Sequence, residues 1–195
     1  MHIIYDAYGR PYQPEANPDI RVIASATIRD RYSTYPSQGL TPKKLARIFK
    51  EADAGSIMNQ AILFEEMEEK DAHLGSVLQT RKLAVTGLDY EVLPANDDEK
   101  AKEIATFVEA KIEQLKDWDG LLLDIMDALG KGISVNELIW AMDDGEAVVI
   151  DHKWVHPKNL TFYDQSGGGR LLPAPRLITE EEPVRGVDLK PNKFV

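Results

Sequence analysis

At Gly130-Lys131-Gly132 the hydrophobic pattern changes period, and that change limits the folds open to the chain. Before it, with the exception of the alternating "LDYEVLP", apolar residues recur at helical spacing from residue 41 onward. After it, "ISVNELIWAM" and "EAVVIDHKWV" flank "DDG", and "NLTFYD" and "RLLPAP" flank "QSGGG", which reads as two β-hairpins. Helices followed by hairpins, rather than alternating with single strands, point to an α+β fold: amphipathic helices packed on a mixed or antiparallel sheet.

The helical half is well punctuated. Thr41 and Pro42 open a first helix with Leu45, Ile48, Phe49 and Ala52 as its stripe, and Gly55 ends it. Ser56 is placed to cap "IMNQAILFEEMEEK", and Asp71 to cap a third helix in which Leu74, Leu78, Arg81 and Val85 share a face. Gly87 stops that helix, and "LDYEVLP" alternates as a half-buried strand. Asn96 and Glu99 have capping-box spacing ahead of a stripe of Ile104, Phe107, Val108, Ile112 and Leu115. "WDGLLLDIMDALGKG" reads as one shorter helix through Leu129. Residues 1–40 lack periodicity and read as an arm, 41–178 as the α+β domain, and 179–195 as a connection ending on a strand-like "NKFV".

Composition excludes some chemistry. There is no cysteine, hence no disulfide or thiolate site, which fits a reducing compartment. No apolar run is long enough to span a bilayer, and the N-terminus lacks the pattern of a secretory signal. The net charge is 23 − 33 = −10, which disfavours a broad nucleic-acid-gripping face. "KKLARIFK" is a modest basic helix face, and the acidic runs Glu65–Asp71 and Glu180–Glu182 read as solvated surface.

Candidate chemical sites are few. "SGGG" at Ser166–Gly169 leads into "RLLPAP", not a helix, so it is a turn and not a phosphate loop. His152 and His156 would lie about 13 Å apart along a strand, too far for a shared metal. Asp143, Asp144 and Glu146 suit a hairpin turn better than a metal-dependent hydrolase or nuclease site. No cofactor motif is present. Arg81 and Glu137 both fall on apolar faces, where a charge needs a partner. Pairing of Arg81 with Glu137 or Glu91 is the expectation. A monomeric adaptor is a further alternative.

Several blocks together resemble the portal proteins of Mu-like phages and prophages. They are "EEMEEKDAHLGSVLQTRKLAVTGLDYEVLPA", "LLLDIMDALGKGISVNELIW" ending at Trp140, "HPKNLTFYDQSGGGRLL" and "LKPNKFV". The resemblance covers about residues 41–195, with "ALGKGISV" in place of the family's common Tyr-Gly-Phe-like turn. It implies the N-terminal, wing-like part of a longer chain running on into stem and clip. It further implies a virion protein, assembled in the host cytoplasm, that forms a ring, usually a dodecamer, at one capsid vertex. Double-stranded DNA passes through such a ring. The implied partners are further copies of itself, large terminase, head–tail connector proteins, and capsid or scaffold protein. Terminase, not the portal, supplies the catalysis. Arg81, Glu91, Glu137 and Trp140 are then structural or interface residues.

Overall fold

The computed structural model describes residues 35–143, 145–164 and 170–195. Helix α1 (Pro42–Asp53) begins where Thr41 Oγ1 accepts the Lys44 amide hydrogen. After it Gly55, at φ +100°, passes so close to β3 (Leu160–Asp164) that a Cβ would lie 2.8 Å from the Phe162 carbonyl carbon. There the Phe162 amide donates to the Gly55 carbonyl.

Helix α2 (Met58–Lys70) is preceded by Ile57 at its cap, and Ser56 does not cap it. Asp71 does cap α3 (Ala72–Thr86), accepting from the His73 and Leu74 amides at 3.0 Å. A Cβ at Gly75 would meet the Glu68 carbonyl oxygen at 2.8 Å, so glycine permits the close approach of α3 to α2.

Residues 89–94 form no strand. Alternation specifies a half-buried face, but a strand also needs a partner for its backbone groups. Among the described residues none pairs with this segment, and Leu88 and Leu93 are 67% and 70% exposed. Helix α4 (Glu99–Glu113) starts at Asp98, whose amide donates to Asn96 Oδ1, and not at Asn96 itself. Its expected stripe is largely uncovered, with Phe107 58% exposed.

The next helical stretch is two pieces, α5 (Trp118–Ile125) and the single turn α6 (Ala128–Lys131), closed by Gly132 at φ +80°. Asp117 caps α5 by accepting from the Gly120 amide.

Both hairpins form. Strand β1 (Val135–Asp143) pairs antiparallel with β2 (Glu146–Val155), with an irregularity at Ile139/Trp140. After the short 3-10 turn Pro157–Asn159, β3 pairs with β4 (Arg170–Leu177), and β4 pairs with β5 (Val187–Asp188), all antiparallel. The end of the chain then returns to β1. Asn136 and Val195 exchange backbone hydrogen bonds of 2.7 and 3.0 Å, and the Leu138 amide donates to the Lys193 carbonyl.

Val135, Val155, Leu160 and Leu177 form the core between the two sheets, with Ile57, Ile133, Val187, Leu189 and Phe194 packed around them. The fold is α+β, with the helices gathered before the sheets in the chain.

Candidate functional site

The most concentrated chemistry lies where α2, α3 and α6 meet. Lys82 Nζ donates to Asp127 Oδ1 at 2.8 Å and to Glu68 Oε1 at 3.0 Å. Lys131 Nζ lies 2.7 Å from Asp127 Oδ2, 3.6 Å from Glu68 Oε2, and over the Trp154 ring. Two ammoniums thus share two carboxylates, and the group is neutral. Burial pulls the Lys82 ammonium down, but the hydrogen bonds and charges of Asp127 and Glu68 overcome it and hold its pKa above the ordinary lysine value.

Two imidazole–carboxylate pairs flank this group. His156 Nδ1 accepts the Lys158 amide hydrogen at 3.0 Å, so its Nε2 carries the proton and donates to Glu65 Oε2 at 2.7 Å. His152 Nε2 lies 3.2 Å from Asp124 Oδ2. Burial raises the Asp124 carboxyl above its ordinary value despite the His152 contact. Each histidine therefore ties the β2 segment to a different helix: His156 to α2 and His152 to α5.

The acidic run Glu65–Asp71 is only in part a solvated face: Glu69 and Asp71 are exposed, but Glu65, Glu66 and Glu68 turn inward to partners. Glu66 is 3% exposed and accepts from Ser37 N, Ser37 Oγ and Lys70 Nζ at 3.0, 2.6 and 2.8 Å. Burial opposes its ionisation, yet the donors from Lys70 and Ser37 outweigh burial and lower its pKa. A carboxyl lowered in the folded state contributes stability fully present above its unfolded pKa and lost as pH falls through the folded one. Urea midpoints across an acid series should therefore fall with pH in the wild type. Glu66→Gln should start about 1 kcal/mol less stable at neutral pH and fall less steeply. Parallel curves for the two proteins would contradict this role.

The residues singled out by sequence are distributed differently from expectation. Arg81 is exposed and makes no ion pair among the described residues, and Glu91 is exposed as well. The buried cation of α3 is Lys82, one position on. By helical spacing after Leu78 both i+3 and i+4 are eligible for the inward face, and the acids waiting at Glu68 and Asp127 select i+4. Glu137, 0% exposed, meets Lys193 Nζ at 3.3 Å, not Arg81. Asn136 is equally buried, so both faces of β1 are covered at its start. Trp140 Nε1 donates to the Asn192 carbonyl at 2.9 Å. Glu137 and Trp140 thus both hold the final residues against β1.

In the first hairpin turn, Asp143 opposes Glu146, and Glu146 meets Lys111 at 3.2 Å. Asp144 and Ser166–Gly169 lie outside the described residues, as do residues 1–34 of the expected arm. Among the described residues no group of three His, Asp or Glu side chains is arranged to hold a metal ion. No described helix is long and apolar enough to cross a membrane. The charges gathered here join elements to one another.

Comparison with known proteins gives this arrangement a context. Residues 61–195 match the family described as the portal protein of Mu bacteriophage. The chain is 35% identical over 141 residues to the Mu-like prophage FluMu protein gp29 of Haemophilus influenzae, covering 70% of this chain and 27% of that protein. It is 33% identical over 141 residues to the portal protein of Escherichia phage Mu, covering 72% and 28%. The chain thus spans about a quarter of the length of these relatives.

Proposed function

Because this chain belongs to the family of Mu bacteriophage portal proteins, we propose that it is a structural subunit of the ring at a capsid vertex through which double-stranded DNA is packaged and ejected. The ordered match over residues 61–195 carries this reading. The chemistry of the site supports it, since Lys82, Lys131, Glu68, Asp127, Glu137 and Lys193 hold elements together and suit a stiff unit that transmits load.

In this reading residues 41–178 form wing-like structure, and 179–195, which pair back onto β4 and β1, belong with it. Large terminase docks on the assembled ring and supplies the hydrolysis. Head–tail connector and capsid or scaffold proteins are its other partners. The protein is made in the host cytoplasm and ends in the virion. Exposed Arg81 and Glu91 are candidate contacts to neighbouring subunits. A chain of net charge −10 lets DNA slide past without electrostatic capture.

The test is a hybrid in which this chain replaces the matching segment of the Escherichia phage Mu portal protein, studied beside the unaltered parent. Native mass spectrometry and electron microscopy should show a discrete closed ring for both. A folded hybrid that stays monomeric where the parent closes rings defeats the reading.

A further inference from the structure

Helix α1 has a charge pattern unlike the rest of the chain. Residues 41–50 hold Lys43, Lys44, Arg47 and Lys50 and no acid, in a chain with 33 acidic and 23 basic residues. Lys43, Arg47 and Lys50 recur at i, i+4 and i+7 and are exposed on one face. Among the described residues, little neutralises them. Arg47 Nε lies 3.6 Å from Glu51, and Lys44 Nζ donates to the Gln38 carbonyl at 2.6 Å. Lys43 and Lys50 make no ion pair among the described residues. Lys43 and Lys44 also occupy the first turn, which has no acid and where the helix dipole disfavours cations. An anionic partner from outside the chain would relieve both features.

We propose that the basic face of α1, formed by Lys43, Arg47 and Lys50, docks on the acidic surface of a second copy of this chain as one side of a head-to-tail contact. The inference rests on the ring reading above. Copies that each carry −10 repel one another. A ring built head to tail joins two unlike faces. α1 supplies a basic face, and exposed acids such as Glu180, Glu181 and Glu182 supply opposite charge. Charge complementarity therefore selects a second copy as the occupant, with α1 as the approaching element.

Sedimentation velocity of the wild-type chain and of the variant K43E/R47E/K50E tests this. At about 0.15 M NaCl the long-range repulsion is screened beyond roughly 8 Å while contact pairs persist, and at about 1 M the contacts are screened too. The wild type should exceed monomer mass with rising concentration at the lower salt and return to monomer at the higher. The variant, with unchanged circular dichroism, should self-associate at least about tenfold more weakly. Mixed one to one with wild type, it should still offer its acidic surface to the wild-type α1 and cap it as a dimer.

A wild type that is monomeric at both salts overturns the proposal, as does a variant that associates like wild type. So does a labelled mixed-sequence DNA duplex that binds wild type and not the variant while self-association is unchanged. The portal reading fails separately. Association through α1 beside a hybrid that closes no ring would defeat that reading and leave this contact standing.

Discussion

Replacing Lys82 with methionine should cost the folded chain about 3 kcal/mol, at the lower end of what breaking a buried ion pair removes. The lysine side chain is 8% exposed, and it neutralises Asp127 and Glu68 together. Lys131 remains beside both carboxylates and softens the loss, but one ammonium cannot balance the buried Asp127 and the half-buried Glu68 together. Three segments distant in sequence meet at these atoms, so the loss should appear as a lower urea midpoint with an unchanged slope. Arg81→Met, one residue away and exposed, should change stability by less than about 0.5 kcal/mol. The comparison separates the two adjacent cations. A Lys82→Met loss below about 1 kcal/mol would show that the charge group does not hold these segments together.

Glu137→Leu should be comparably damaging, by about 3 kcal/mol, because it leaves the Lys193 ammonium buried beside an apolar side chain. The double variant Glu137→Leu/Lys193→Met should recover much of that loss, since replacing both partners of a buried pair is far less costly than removing one. Hydrogen exchange gives a local readout. The Asn136 and Leu138 amides donate to the carbonyls of Val195 and Lys193, so the single variant should lose protection there before the rest of β1. If those amides stay protected and the urea midpoint is unchanged, Glu137 does not hold the end of the chain in place.

Much of this fold follows from chemistry within a few residues. Thr41 and Asp71 cap because a short oxygen-bearing side chain reaches amides two or three positions on. Gly132 ends the helical half because it accepts a positive φ, and the hairpins follow from alternation around turn residues. The family match likewise resides in the order of residues along the chain. Other features depend on what lies across the fold. Spacing along α3 admits both Arg81 and Lys82 to its inner face, and only the positions of Glu68 and Asp127 choose between them. "LDYEV" has the alternation of a strand, yet a strand exists only where another backbone answers its hydrogen bonds. Glu137 needed a counter-charge, and the return of residues 192–195 to β1 decided that it would be Lys193, 56 positions away in the numbering. Caps, turns and periodicity are local and can be read in one dimension. The pairing of buried charges is settled by which segments meet, because desolvation makes each such charge depend on a partner that the neighbouring residues do not specify.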